Sequence, residues 1–462
     1  MRRVSGRIGI AVAAVFALTV LVPTAEATTS QSLSAVRSVA SGYAGSCALL
    51  TSGSVDCWGY GHFGQLGNGS FYSPTVSGVQ GSAVPVAVTG VGGTGTLTGV
   101  ASLVSANYSL CALLTSGGVD CWGDGADGEM GNRTFYTGIQ AGSAFPVAVT
   151  GVGGTGTLSG VASLTSADHS FCALLTSGGV DCWGYGADGQ LGNGTFYTGT
   201  QPGSAFPVAV TGVGGTGTLT GVAGLTGASE NFCARLTSGG LDCWGQGSKG
   251  QLGDGTFYTA ANFGSAAPVA VKGVGGTGTL TGVASLAGFS GGSCARLTSG
   301  QVDCWGQGSS GQLGNGGIGS SAAPVAVKGV GGSGTLTGVA SLTSAQYGSC
   351  ARLTSGRVDC WGESNWGTLG DGSFSYSAVP VAVKGVDGSG TLTGVVSLTS
   401  NGPGDLMSAL LTSGGLDCWG QDYNGQLGNG TFRTTGGPGT NTDGSAVPVA
   451  VLTESSAVAS PT

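Results

Sequence analysis

Twelve of the thirteen cysteines in this sequence occur as pairs ten residues apart, a spacing that suits disulfide chemistry. The pairs are Cys47 with Cys57, Cys111 with Cys121, Cys172 with Cys182, Cys233 with Cys243, Cys294 with Cys304, and Cys350 with Cys360. Each pair flanks a Thr-Ser-Gly segment symmetrically, so we expect the two thiols to face each other across adjacent antiparallel strands. Zinc would need Cys-x-x-Cys spacing or a nearby His, and neither accompanies the pairs. The spacing therefore predicts six short-range disulfides.

The thirteenth cysteine, Cys418, has Ser408 where its partner is expected. Two interpretations stay open: a buried free thiol left by sequence drift, or a disulfide to another molecule. We adopt the first.

An aspartate precedes the second cysteine of every repeat. These residues are Asp56, Asp120, Asp181, Asp242, Asp303, Asp359 and Asp417. Calcium binding is one interpretation in an exported protein. We favour a structural one, in which each carboxylate caps backbone N–H groups of a neighbouring strand.

Residues for catalysis are sparse. The only two histidines, His62 and His169, lie in different repeats, and neither a Gly-x-Ser-x-Gly nor a His-Glu-x-x-His motif occurs. The sequence therefore predicts no catalytic residue, no metal site and no cofactor. Paired carboxylates from different repeats, as glycoside hydrolysis uses, remain an alternative.

These residues belong to a motif that the chain repeats seven times, with its tryptophan 56 to 64 residues apart. The tryptophans are Trp58, Trp122, Trp183, Trp244, Trp305, Trp361 and Trp419. Each repeat offers four short apolar segments, in the second repeat 99–103, 111–114, 119–122 and 146–149. Seven units of four strands predict an all-β fold, a seven-bladed β-propeller of four-stranded antiparallel blades over residues 28–452. An open β-solenoid is the alternative.

The last apolar segment, 448–451, comes just before a polar tail, 453–462. We expect this segment to lie beside the sheet of the first repeat and to lock the ring. The glycine-rich segment between repeats, such as 150–160, is predicted to connect strands without binding a ligand. A phosphate-binding loop would end in Lys-Ser or Lys-Thr, and this segment does not.

Residues 1–27 have the pattern of a secretory signal, with Arg2, Arg3 and Arg7 before an apolar run, 8–22, and Ala-Glu-Ala at the end. Cleavage after Ala27 would release a secreted, extracellular chain; an uncleaved anchor is the alternative. Removing three Arg and one Glu from 14 basic and 22 acidic residues leaves 11 and 21, a net charge of −10. This acidic balance argues against nucleic-acid and anionic-membrane partners.

Comparing the repeats with one another separates scaffold from candidate site. In an up-and-down blade, the loops after the first and third strands emerge on one face, and here both vary between repeats. Aromatic side chains on rigid loops supply contact area at low entropic cost. The candidate partner-binding residues are Tyr43, Tyr60, His62, Phe63, Tyr108, Asp124, Asp127, His169, Tyr185, Phe289, Tyr347, Trp366 and Tyr423.

The motif Leu-Thr-Ser-Gly-Gly-Val-Asp-Cys-Trp-Gly, followed by Gly-Gln-Leu-Gly-Asn-Gly, resembles the repeat of the regulator of chromosome condensation family over nearly all of residues 33–452. The resemblance implies a seven-bladed propeller. It also implies a function similar to one of two functions found in the family. The eukaryotic founder is a guanine-nucleotide exchange factor that binds chromatin, and a secreted bacterial relative inhibits β-lactamase through loops on one face.

The predicted function is that of a secreted, non-catalytic, monomeric protein that binds an unidentified partner protein through loops on one face. Inhibition of that partner is one form that this function could take. The alternatives are a structural cell-surface module, a glycan-directed enzyme and an exchange-factor role implied by the resemblance.

Overall fold

The computed structural model describes residues 35–41, 45–72, 81–259, 263–401, 404–422, 427, 429 and 444–451. The predicted signal (1–27), the polar tail (453–462), Tyr43 and Tyr423 lie outside these residues.

The described residues form seven separate four-stranded antiparallel sheets, each with its strands side by side in chain order. This confirms the all-β, seven-bladed propeller. Blades one to four contain β1–β4 (Val36–Ser41, Gly45–Leu50, Val55–Tyr60, Gly81–Ala87), β5–β8 (Val100–Ala106, Ser109–Leu114, Val119–Asp124, Gly142–Ala148), β9–β12 (Val161–Ala167, Ser170–Leu175, Val180–Tyr185, Gly203–Ala209) and β13–β16 (Val222–Gly227, Asn231–Leu236, Leu241–Gln246, Gly264–Ala270). Blades five to seven contain β17–β20 (Val283–Phe289, Gly292–Leu297, Val302–Gly306, Ser321–Ala326), β21–β24 (Val339–Ser344, Gly348–Leu353, Val358–Gly362, Ser377–Ala382) and β25–β28 (Val395–Asn401, Gly404–Leu411, Leu416–Gln421, Gly444–Ala450).

The remaining regular structure consists of single 3-10 turns. They are Val91–Gly93, Val152–Gly154, Val213–Gly215, Val274–Gly276, Val330–Gly332, Asn365–Gly367 and Val386–Gly388. Six of them lie in the glycine-rich joints between blades, which confirms that these joints are connections. No described helix is long and apolar enough to cross a membrane.

The tight hairpin between the second and third strands of each blade sets the register. In the third blade it places Cys172 directly opposite Cys182, and Gly178 takes the left-handed conformation that the turn requires, with φ of 83°. The same register brings the paired cysteines of the other five blades into direct opposition.

All six predicted disulfides are present, and each joins Cα atoms 4.1 Å apart. The bonded pairs are Cys47 with Cys57, Cys111 with Cys121, Cys172 with Cys182, Cys233 with Cys243, Cys294 with Cys304, and Cys350 with Cys360. The disulfides therefore staple the middle of each of the first six blades. Cys418 of the seventh blade is a buried free thiol, as expected.

Neighbouring blades are joined through the tryptophan of one repeat and the Gly-Gln-Leu-Gly segment of the repeat before it. In six blades the indole is fully buried and donates a hydrogen bond of 2.8 to 2.9 Å to a backbone carbonyl of the preceding blade. The donors and acceptors are Trp122 with Gln65, Trp183 with Glu129, Trp244 with Gln190, Trp305 with Gln251, Trp361 with Gln312, and Trp419 with Thr368. The core is thus a series of pockets between blades, each filled from both sides.

The expected locking of the ring by the last strand is wrong. β28 pairs with β27 inside the seventh blade, while β1–β4 form a complete sheet of their own. The physical reason is that the first repeat already supplies four strands, so its sheet has no vacant position for a strand from the other end of the chain.

The side of the seventh blade that faces away from the sixth remains uncovered by the described residues. Leu410 and Leu416 are 41% and 40% exposed there, whereas Leu113 and Val119, at the same repeat positions in the second blade, are 6% and 2% exposed. On the first blade, Val39 is exposed and Trp58 is only half-buried. The junction between the last and the first repeat is therefore less well packed than the other six.

Candidate functional site

The loops after the first and third strands of a blade lie together on one face of the propeller. In the second blade the N–H of Asp124 donates to the carbonyl of Tyr108 (3.0 Å), and in the third the N–H of Tyr185 donates to that of His169 (2.9 Å). These loops begin or end within a few residues of the disulfides, so their backbones are held by a stapled sheet. The structure thus brings the described candidate residues of the first three blades to one end of the propeller.

Four of the predicted side chains form an aromatic cluster, which consists of Tyr60, His62, Phe63 and Tyr108. The Tyr108 ring centroid lies 5.4 Å from that of Phe63 and 5.9 Å from that of Tyr60, and His62 lies 4.9 Å from Phe63. All four are half-buried or buried. Tyr108 belongs to the second blade and the other three to the first, so the cluster crosses the boundary between two blades and is not folded into one of them.

A second group is polar and contains Asp127, Glu129 and His169. His169 Nδ1 lies 3.4 Å from Glu129 Oε1 and 3.8 Å from Asp127 Oδ2. On the other side of the ring, His169 Nε2 lies 3.0 Å from Asn107 Nδ2. Because Asn107 precedes Tyr108 in the chain, the polar group adjoins the aromatic cluster, and the two form one continuous surface.

Glu129 is a candidate site residue that the sequence analysis did not name. Its carboxylate is 1% exposed, at the position of the glutamine in the repeated Gly-Gln-Leu-Gly. A signal was available, since Gln65, Gln190 and Gln251 occupy this position and only the second repeat has a carboxylate there. This substitution becomes informative only in the structure, where His169 of the next repeat lies beside Glu129.

Burial controls the protonation of this surface. Burial raises the pKa of Glu129 to about 7, although its hydrogen bond to His169 opposes the shift. The same hydrogen bond raises the pKa of His169, against the effect of burial. Burial and the neighbouring Glu230 raise the pKa of Asp168 to about 6. The surface thus holds two carboxyl groups, Glu129 and Asp168, whose charge changes near neutral pH.

Two cavities open among these loops. A central cavity of about 600 Å³ is lined by Tyr108, Asp168, Glu230 and Lys249, among others. Beside it lies an acidic pocket of about 280 Å³, and we use this name for the space lined by Asp127, Asp168, His169, Tyr185 and Glu230. Asp168 and Glu230 line both, so the two spaces are contiguous.

Three other described candidates contribute less to this surface. Phe289 is 2% exposed and forms part of the central cavity wall, so it offers little contact area. Tyr347 and Trp366 are half-buried in the sixth blade. Trp366 occupies the middle of a 3-10 turn with φ of 57°, an uncommon conformation for a large side chain.

The recurring aspartates are buried in six blades, and burial raises the pKa of each. The residues are Asp120, Asp181, Asp242, Asp303, Asp359 and Asp417. Within the part of the chain that the structure describes, no hydrogen bond to these carboxylates is found, and both oxygens of Asp359 are fully buried without one. The expectation that they cap backbone N–H groups is therefore wrong.

Comparison with known proteins agrees with this architecture. A family model described as "Regulator of chromosome condensation (RCC1) repeat" matches residues 36–65. The chain is 27% identical over 395 residues to the E3 ubiquitin-protein ligase HERC2 of Mus musculus and of Homo sapiens. The match covers 82% of this chain but spans only 7% of the length of those relatives.

Among solved structures, human WBSCR16 superposes with a TM-score of 0.58 at 20% identity, covering 79% of this chain and 84% of that one. Prp20p of Saccharomyces cerevisiae, studied for its binding to Gsp1p and histones, superposes with a TM-score of 0.57 at 17% identity, covering 79% and 80%. At these identities the likeness concerns the fold.

Proposed function

We propose that this chain, a seven-bladed propeller whose repeats resemble those of the regulator of chromosome condensation family, is a secreted, non-catalytic protein that binds a partner protein through one face. The observation that carries the proposal is the aromatic cluster of Tyr60, His62, Phe63 and Tyr108, which spans two blades next to an acidic pocket. The six disulfides support an oxidising, extracellular setting.

The chemistry of the surface indicates what the partner presents. Large aromatic side chains held by a rigid scaffold lose little conformational entropy on binding and dominate interface energies. Tyr60 ends β3, three residues after Cys57, and Tyr108 lies in the turn directly before β6, three residues before Cys111, so both rings are held next to disulfide-bonded strands. The neighbouring carboxylates favour a cationic group. The partner would therefore place an apolar side chain on the aromatic cluster and a Lys or Arg in the acidic pocket.

Truncating the aromatic cluster tests the proposal. We expect the double variant that combines Phe63→Ala with Tyr108→Ala to lose at least about 30-fold in affinity for the partner, since central interface aromatics each contribute about 2 kcal/mol or more. The partner is first captured on the mature protein from the secreted and surface fraction of the producing cells, and the affinities are then measured with purified components. Tyr376→Ala is the matched control, because Tyr376 is well exposed but lies outside the cluster. Equal affinity for the parent and the double variant would contradict the assignment of this face.

The central cavity favours a second candidate, a glycan-directed hydrolase. Asp168 and Glu230 line the cavity together, and burial raises the pKa of both. Glycoside hydrolysis uses two carboxyl groups, one of them protonated near neutral pH. If this candidate is correct, the mature protein releases reducing ends from one member of a glycan panel, and Asp168→Asn abolishes the release while Asp56→Asn, on the first blade, does not. Absence of release from every glycan would exclude it.

A further inference from the structure

We propose that Asp127, Glu129 and His169 bind a divalent transition-metal cation of the zinc class at the edge of the acidic pocket. The inference goes beyond the proposed partner binding, although Asp127 and His169 also line the acidic pocket. The sequence motifs do not predict the site, because its ligands come from two repeats and have no characteristic spacing.

The hydrogen bond between His169 and Glu129 is long, and the three ligand atoms have about the spacing of ligands around a small cation. His169 Nδ1 lies 3.4 Å from Glu129 Oε1 and 3.8 Å from Asp127 Oδ2, and all three atoms lie within 4.8 Å of one another. A hydrogen bond between such groups is normally about 2.7 to 3.2 Å long. Zinc bonds of about 2.0 to 2.1 Å in tetrahedral geometry place neighbouring ligand atoms roughly 3.4 Å apart. Only small movements of the side chains would therefore be needed to bind the ion.

The repeats supply a second, independent observation. At Gln190 the side-chain carbonyl accepts the N–H of Asp188 at 2.9 Å, and at Glu129 the Oε2 atom accepts the N–H of Asp127 in the same way, also at 2.9 Å. The other end of the group differs: the amide nitrogen of Gln190 is buried without a hydrogen-bond partner, whereas Glu129 directs its second oxygen at His169.

A buried carboxyl group in place of a neutral amide is either protonated or compensated by a positive charge. Glu129 replaces the recurring glutamine in the second repeat. The loop that covers this position carries His169, one of the two histidines in the chain. A glutamate thus replaces the recurring glutamine, and a histidine stands on a variable loop 40 residues away that meets it in space.

The surroundings of the histidine fit a metal ligand. Histidines that bind metal through one ring nitrogen usually donate a hydrogen bond from the other. Asn107 lies 3.0 Å from Nε2, and its amide can present oxygen there, because the oxygen and nitrogen of an amide are distinguished only by their hydrogen bonds. Asp127 and His169 also line the acidic pocket, so a water molecule can complete the coordination. One imidazole with two carboxylates favours zinc-class ions over calcium or magnesium, which prefer oxygen ligands.

The test measures metal binding directly on the mature chain, without a polyhistidine tag and after treatment with a chelator. We expect calorimetry with Zn²⁺ to show one saturable site per chain and Co²⁺ to give visible absorption typical of a protein-bound ion. Glu129→Gln introduces the glutamine that five other repeats have at this position and should weaken Zn²⁺ binding at least tenfold without unfolding the protein. His169→Asn should do the same, whereas His62→Asn, which changes the other histidine, should bind like the parent.

Two results would overturn the proposal. One is the absence of saturable binding of Zn²⁺, Co²⁺ and Mn²⁺ by the parent chain. The other is equal Zn²⁺ affinity in the parent and in Glu129→Gln. Binding that is lost only in His62→Asn would assign the ion to a different place and would also contradict the site.

Discussion

Replacing Trp244 with alanine is expected to lower the free energy of unfolding by about 3 to 5 kcal/mol, the range for removing a large aromatic side chain from a packed core. Trp244 is fully buried between the third and fourth blades, where it packs against Leu191 and Val210. Its indole N–H donates a hydrogen bond of 2.9 Å to the carbonyl of Gln190. The backbone is so close that a Cβ added at Gly192 would lie 2.8 Å from the indole nitrogen. The variant would leave both a cavity and a buried carbonyl without its donor.

The matched control is Trp58→Ala, the same substitution in the first repeat. Trp58 is only half-buried, so less apolar area returns to water and no closed cavity forms. Chemical denaturation of both variants, followed by tryptophan fluorescence and far-ultraviolet circular dichroism, measures the difference. An equal loss of stability at the two positions would show that the junction beside the first blade is packed as tightly as the others.

Introducing a cysteine at position 408 is expected to complete the series of disulfides and to stabilise the seventh blade by about 2 to 3 kcal/mol, the chain-entropy value for a short loop. Ser408 faces Cys418 directly across β26 and β27, and the serine Oγ lies 3.1 Å from the cysteine Sγ. The six cysteine pairs occupy the same register in the other blades. The new thiol would therefore meet Cys418 without movement of the backbone.

Free-thiol titration under denaturing conditions measures the outcome. The parent should show one thiol per chain and Ser408→Cys none, with the added stability lost on reduction. Ser408→Ala is the control, since it removes the hydroxyl but cannot form a bridge. Cys418 is buried, and burial raises the pKa of its thiol, which opposes oxidation by solution reagents. A fully titratable pair of thiols in Ser408→Cys would contradict the predicted geometry.

Most of the fold follows from the sequence, because the information that specifies a blade is local. The ten-residue spacing of the cysteines around a Thr-Ser-Gly hairpin determines the pairing of the second and third strands, and it correctly predicted six disulfides. The recurrence of four apolar segments per repeat correctly predicted seven blades. The strands extend further than the apolar segments indicate, as in β8, which begins at Gly142 rather than near Pro146, because backbone hydrogen bonding continues through small and polar residues.

The candidate site was predicted in part. Varying loops indicated the face and named Tyr60, Phe63, Tyr108 and His169, which the structure brings onto one surface. The same reasoning gave equal weight to Phe289, which is buried. Whether a loop aromatic faces solvent or the core depends on the neighbouring blade, and repeat comparison within a single chain does not contain that information.

Sequence alone therefore determined the blades of this protein, since strand pairing and disulfide formation involve residues within one hairpin. Only the tertiary structure decided what happens between blades. It placed Glu129 beside His169 and Tyr108 beside Phe63, and among the described residues it left Leu410 and Leu416 41% and 40% exposed at the junction of the last and first repeats. The physical reason is that these contacts join residues tens of positions apart, whose distance is set by how one twisted sheet packs on the next and not by any periodicity along the chain.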